Sequence, residues 1–117
     1  MKILVLEDED AKFSQIEEFV GQIIEDAEIV RRKNWFEYAQ AIANTRFDLI
    51  LLDLLVPRSP RDDTVEDHHA SLVSTTRDYE SKSFRTPAIV LTRHSLNAGD
   101  FVHDLNAVDI NVIAFND

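Results

Sequence analysis

Three short apolar runs punctuate the chain: Ile3-Leu4-Val5-Leu6, Leu49-Ile50-Leu51-Leu52 and Ala88-Ile89-Val90-Leu91. Each is continuous rather than alternating, the pattern of strands buried on both faces of a parallel sheet. Two weaker runs, Glu28-Ile29-Val30-Arg31 and Ile110-Asn111-Val112-Ile113-Ala114-Phe115, predict further strands. Between the runs the apolar period lengthens to that of a helix. Phe13, Ile16, Val20, Ile23 and Ile24 share a face over 10–25, and Trp35, Ala39, Ile42 and Ala43 do so over 35–45, with Asn34 placed as N-cap. Leu72, Val73, Thr76 and Tyr79 predict a third helix over 66–82; Phe101, Val102 and Leu105 predict a short fourth over 97–106. Strands alternating with helices imply right-handed crossovers, and so a three-layer, doubly wound α/β fold with a five-stranded parallel sheet.

Residues 57–68 break the pattern. They hold Pro57 and Pro60, the acids Asp62, Asp63, Glu66 and Asp67, and no apolar period, which reads as an exposed loop. At the other end, no helical segment follows the fifth strand before Asp117. A doubly wound sheet carries helices on both faces. With the final helix lacking, one face is covered by the first helix alone. The expectation is a fragment of a longer chain or an interface on that face, through self-association or a partner domain.

Composition narrows the classes. At 117 residues, 44% of them hydrophobic, residues 1–117 make one domain with a packed core. Twelve Lys and Arg against twenty-two Asp and Glu leave a net charge of −10, which argues against direct contact with nucleic acid or an anionic membrane. No cysteine is present, so disulfide frameworks and thiolate chemistry are excluded. No apolar run approaches the ~20 residues of a spanning helix and no signal peptide opens the chain, from which a cytoplasmic location is expected.

In open α/β sheets, ligands bind beyond the carboxyl ends of the strands. There the sequence places Glu7-Asp8 after the first strand, Asp53 after the third and Thr92 at the end of the fourth. No Gly-rich turn follows the first strand, so phosphate cradles of the dinucleotide or P-loop kind are excluded. Converging carboxylates need a cation among them, and hard oxygen ligands suit Mg²⁺. Asp53 could then act as a nucleophile toward phosphorus, with Thr92 donating its hydroxyl to a phosphoryl oxygen. Singly, these residues have plainer readings. Glu7 to Asp10 suit the positive end of a helix, and Asp53 suits a turn. As a set, three strand ends carry compatible chemistry at one edge. His68 and His69 lie among acids, but adjacent histidines diverge in most backbones and their segment reads as solvated loop; His94 and His103 read as surface residues.

The segments Ile3-Leu4-Val5-Leu6-Glu7-Asp8-Glu9, Asp48-Leu49-Ile50-Leu51-Leu52-Asp53-Leu54-Leu55-Val56-Pro57 and Pro87-Ala88-Ile89-Val90-Leu91-Thr92 together resemble the receiver domain of bacterial two-component response regulators. The resemblance runs from Lys2 to about Phe115. It implies a flavodoxin-like sheet of order 2-1-3-4-5 and phosphotransfer from a histidine kinase to Asp53. It also implies Mg²⁺ held by Glu7, Asp8, Asp53 and the backbone carbonyl of Leu55, and Thr92 as the switch hydroxyl.

Several positions depart from that pattern. Ala114 stands where receivers carry a lysine that pairs with the phosphorylated aspartate, Asn111 at the aromatic switch position, and Arg93 where a small residue admits the phosphodonor. The loop after the third strand is longer and lacks its glycine. Loss of the lysine removes a charge-assisted contact of roughly 1.5–3 kcal/mol. Arg93 or Arg58 could supply a cation, although bland surface arginines are the simpler reading. The expectation is an atypical receiver in signal transduction: a non-enzymatic protein-interaction or dimerisation module with impaired or absent phosphorylation switching, whose partners are a histidine kinase or other signalling protein. The alternative is a working phospho-accepting receiver. A more distant resemblance, through Asp8-x-Asp10 and Thr92, is to haloacid-dehalogenase-type phosphohydrolases. Ala11-Lys12 departs from that family's motif, and a cap domain does not fit in the chain.

Overall fold

The computed structural model describes residues 1–92 and 105–114, Thr92 and Ala114 by their backbone. The apolar runs pair as strands buried on both faces should. In chain order the elements are β1 (Lys2–Leu6), α1 (Asp10–Ile23), β2 (Glu28–Arg32), α2 (Trp35–Asn44), β3 (Leu49–Leu52), β4 (Leu55–Pro57), β5 (Val65–Asp67), α3 (Leu72–Thr76), β6 (Ala88–Thr92) and β7 (Ile110–Ala114). The five long strands form one parallel sheet in the order β2-β1-β3-β6-β7, the expected 2-1-3-4-5 arrangement. The chain leaves β1 toward one edge and returns to β3 on the other side. The switch point of the topology therefore lies where Leu6 and Leu52 end in register.

Alternate residues of each strand divide between two cores. Leu4, Leu6, Ile50, Leu52, Ala88, Val90 and Ile110 pack with Trp35, Tyr38 and Ile42 of α2 and with Leu72 of α3. Ile3, Val5 and Leu51 pack on the other face against Ile16 and Val20 of α1. Asn34 caps α2 reciprocally: its Oδ1 accepts the Glu37 amide at 2.9 Å, and its Nδ2 donates to Glu37 Oε1 at 2.8 Å. On the α1 side, toward β7, cover thins. Ile89 and Leu91 are half-buried and Ile113 is 49% exposed.

Two sequence expectations need correction. The third helix is confined to Leu72–Thr76 rather than 66–82. Its amino-terminal part is instead β5, which pairs antiparallel with β4, so residues 57–68 form a short hairpin rather than a featureless loop. Its carboxyl-terminal part is diverted by Asp78, whose Oδ1 accepts the Glu80 amide at 3.0 Å in a side-chain turn, leaving Tyr79 78% exposed. Arg77 fastens this region. Its guanidinium donates to the carbonyls of Val108, Phe84, Thr86 and Asp109 at 2.7–3.2 Å. Most of the expected fourth helix, with His94 and His103, lies outside the described residues, while Leu105 is buried in the α2–α3 core.

Candidate functional site

The turn from β1 into α1 begins with Glu7. Parallel pairing with β2 carries on through its amide, which donates to the Arg32 carbonyl at 3.0 Å, and this holds the side chain inward. One residue past β3, the Asp53 amide donates to the Leu6 carbonyl at 3.0 Å, so both acids stand at the switch point. Between them lies a residue from α1. Lys12 falls on the same helical face as Ile16 and Val20, at four-residue spacing, and is carried into the protein with them. Its Nζ donates to Asp53 Oδ2 at 2.9 Å and to the Leu91 carbonyl at 3.3 Å, and lies 3.0 Å from Glu7 Oε1. Side-chain exposures are 1% for Lys12, 1% for Glu7 and 15% for Asp53, so this ion cluster sits at the floor of the sheet edge.

Electrostatics follow from that burial. Loss of hydration raises the Glu7 carboxyl to about 7, against the lowering effects of the Glu9 amide (3.1 Å from Oε2) and of Lys12, and the neighbouring Asp53 charge adds to the rise. Burial alone would lower the Lys12 ammonium, but its bond to Asp53 and its proximity to Glu7 outweigh that and hold it above its ordinary value. Lys12 therefore stays charged. The ion pair with Glu7 lacks hydrogen-bond alignment: Glu7 Oε1 makes no hydrogen bond, although the ammonium lies in contact. Both Asp53 oxygens are hydrogen-bonded in this arrangement, since Oδ1 accepts the Leu55 amide at 2.9 Å.

The remaining predicted residues divide. Asp8 is half-buried beside Glu7 and has no hydrogen bond or ion pair among the described residues. Leu55 meets the site through its amide. Thr92 and Ala114 end their strands in register with one another, and Asn111 is exposed opposite Ile89. Arg93 lies outside the described residues. Arg58 makes a two-pronged bond with Glu66 at 3.0 Å across the β4–β5 hairpin. Asp10 points outward, 82% exposed, toward Arg31 and Lys33, so Asp8 and Asp10 do not act as a pair. His68 is buried rather than solvated. It stacks on Trp35 with ring centres 4.7 Å apart, and its Nε2 bonds the Val56 carbonyl at 2.9 Å. His69 pairs with Asp67, and among the described residues no three His, Asp or Glu side chains group as metal ligands.

The residue that sequence reasoning missed is Lys12. Its signal was the spacing Lys12–Ile16–Val20, a cation in register with a buried face.

No protein-family model and no curated protein sequence matches the chain. Solved structures do. The chain is 22% identical to the receiver domain of a sensor histidine kinase from Pseudomonas aeruginosa, a crystal structure with a magnesium ion coordinated in its active-site cleft (97% of this chain and 82% of that one, TM-score 0.65). It is 18% identical to the N-terminal domain of a response regulator receiver protein from Methanoculleus marisnigri (98% and 84%, TM-score 0.73). It is 25% identical to a phosphorylated cyanobacterial phytochrome response regulator (98% and 79%, TM-score 0.67). The sheet order, the carboxylates at its switch point and these likenesses agree: the chain has the flavodoxin-like fold of response-regulator receiver domains.

Proposed function

We propose that the chain is a receiver-type signalling module whose acidic pocket is neutralised from within by Lys12, and that it works through protein contacts rather than through phosphorylation of Asp53. The observation that carries this reading is the position of the Lys12 Nζ, in contact with Glu7 Oε1 and Asp53 Oδ2. That ammonium answers the need of converging carboxylates for a cation. With it in place Mg²⁺ would reach Glu7 and Asp53 only by displacing the ammonium, while the half-buried Asp8 stays open to it. A divalent ion requires oxygen ligands at about 2.1 Å in near-octahedral array, whereas Lys12 hydrogen-bonds Asp53 Oδ2 and lies in contact with Glu7 Oε1. Mg²⁺ and the Lys12 ammonium are thus alternatives for the same oxygens.

The same contact bears on Asp53 as a phosphoacceptor. Lys12 on Oδ2 and the Leu55 amide on Oδ1 each draw on the oxygen that would attack phosphorus and so lower its nucleophilicity. Ala114 and Asn111, at the positions where the family carries its lysine and its aromatic residue, support the same reading. A histidine kinase or another signalling protein fits as partner. Transfer of a phosphoryl group is not needed for docking.

The test is a titration with Mg²⁺, then beryllofluoride, followed by amide chemical shifts. The expected result is no change at Asp8, Asp53 or Thr92 with either. Saturable shifts at all three with both ligands would overturn the proposal in favour of a phospho-accepting receiver.

A further inference from the structure

The amino-terminal edge of the sheet, opposite Glu7 and Asp53, carries a second feature. An open groove of about 510 Å³ lies between the α2–β3 turn and the segment leading into β6. Arg46, Lys82 and Arg85 rim it, all three exposed, and none of them has an ion-pair partner among the described residues. Lys2 stands nearby, its Nζ 5.9 Å from the centre of the Phe47 ring. In a chain of net charge −10 this grouping of cations runs against the overall balance.

The groove is also firmly built. Thr86 Oγ1 ties its two walls together by donating to the Phe47 carbonyl at 2.6 Å, and behind the lining Ser81 Oγ donates to the Ile42 carbonyl and Ser83 Oγ to the Thr45 carbonyl, also at 2.6 Å. Ser83 Oγ also accepts the Phe47 amide at 2.8 Å. The cations therefore project from a rigid base, which lowers the ordering cost of binding.

We propose that this groove docks an acidic polypeptide segment that carries an apolar side chain. Charge complementarity selects an anion, and the distribution of donors selects the kind. A compact phosphate needs converging backbone amides, but those of Phe47, Asp48 and Thr86 are spent inside the fold. Recognition falls to three separated side chains, which suits carboxylates spaced along a peptide. The half-buried Phe84 ring, with the Arg85 guanidinium 5.0 Å from its centre, and the exposed Pro87 give an apolar residue of that peptide a surface to lie on. A long nucleic acid would meet the repulsion of the acidic remainder of the chain. Asp48, the one acid in the lining, has its Oδ2 occupied by the Lys2 amide at 2.7 Å. The inference is independent of how Lys12 and Asp53 are read.

The test uses the whole chain and amide chemical shifts. The probes are a synthetic Asp/Glu peptide with one central Phe, the same peptide with Ala for Phe, inorganic phosphate and a single-stranded oligonucleotide. Expected are saturable shifts confined to residues 46–48 and 82–87 with the Phe peptide, about tenfold weaker binding with the Ala peptide, and loss of response at high salt. Arg46→Glu with Arg85→Glu should abolish the response and leave the Glu7 and Asp53 amides unmoved; Arg46→Gln with Arg85→Gln serves if charge reversal impairs folding. No response to the Phe peptide overturns the proposal. So does an equal response to phosphate, a stronger one to the oligonucleotide, or equal affinity for the Ala peptide. Shifts in the groove that follow protein concentration alone also overturn it, in favour of a second copy of the chain.

Discussion

Replacing Lys12 by Met keeps the length and apolar stem of the side chain and deletes its charge, and the consequence depends on pH in a way that geometry dictates. Below pH 6 the Glu7 carboxyl, raised to about 7 even with the ammonium beside it, is protonated in the folded protein. There the substitution removes the contact with Asp53 and the bond to the Leu91 carbonyl, a loss of about 2 kcal/mol for a charged, partly buried hydrogen-bonded pair. Above pH 7 the wild-type Glu7 ionises against Lys12. In the variant it has no counter-ion and keeps its proton. Each further pH unit then adds about 1.4 kcal/mol, so the deficit grows to about 4 kcal/mol near pH 8.5. For a chain of this length that is a fall in Tm of about 15 °C. Urea unfolding followed by circular dichroism at pH 5.5 and 8.5 measures both values. Adding Glu7→Gln to the variant should remove the pH dependence and recover the alkaline loss. Mg²⁺ at millimolar concentration should raise the midpoint of Lys12→Met and leave the wild type unchanged. A deficit that is the same at both pH values, or below about 1 kcal/mol at pH 8.5, would refute the view that Lys12 is the counter-ion of this pocket.

Other consequences are simpler. In the wild type, Glu7 has a folded-state value above its ordinary 4.5, so its contribution to stability is fully present below pH 4.5 and is lost as pH rises through about 7. Unfolding curves of the wild type and Glu7→Gln should therefore diverge by roughly 3 kcal/mol across that window and run parallel above it. Arg77→Met leaves four carbonyls without their shared donor and should cost about 3 kcal/mol by urea unfolding, with amide exchange quickened around Phe84, Thr86 and Val108. Gly21, in the interior of α1, has nothing within 4 Å of where a Cβ would stand, and Gly21→Ala should stabilise by about 0.5–1 kcal/mol in the same assay. Asn34→Ala removes the α2 cap and should cost about 1 kcal/mol.

The five long strands and first two helices were legible because each rests on a local pattern that tertiary packing then reinforces. Leu49-Ile50-Leu51-Leu52 is buried by neighbours on both sides of the sheet, so its unbroken apolar run is itself the signature of its place. Asn34 announces α2 by chemistry that needs no partner beyond Glu37. The failures arise where a distant pairing decides. Val65–Asp67 has no strand signature of its own and becomes one because Leu55–Pro57 lies alongside. His68 leaves solvent because the Trp35 ring offers a face and Val56 a carbonyl, neither of which is near it in sequence.

The candidate site divides along the same line. Glu7 and Asp53 were legible as acids at strand ends, and the absence of lysine at Ala114 was legible as a missing charge. Sequence alone points to Arg93 and Arg58 for a replacement cation and passes over α1, because an apolar face is ordinarily read by its apolar members. A lysine on that face looks like an interruption. Yet a buried ammonium is tolerable only where acids meet it, and two acids with no other cation were already predicted at the end of β1 and β3. The helix that follows β1 directly is the element best placed to deliver one, and Lys12, three residues into α1, aligns with Ile16 and Val20. An unmatched charge at a buried register position and an unmatched opposite charge at a sheet edge are thus one signal, readable only when both are considered together.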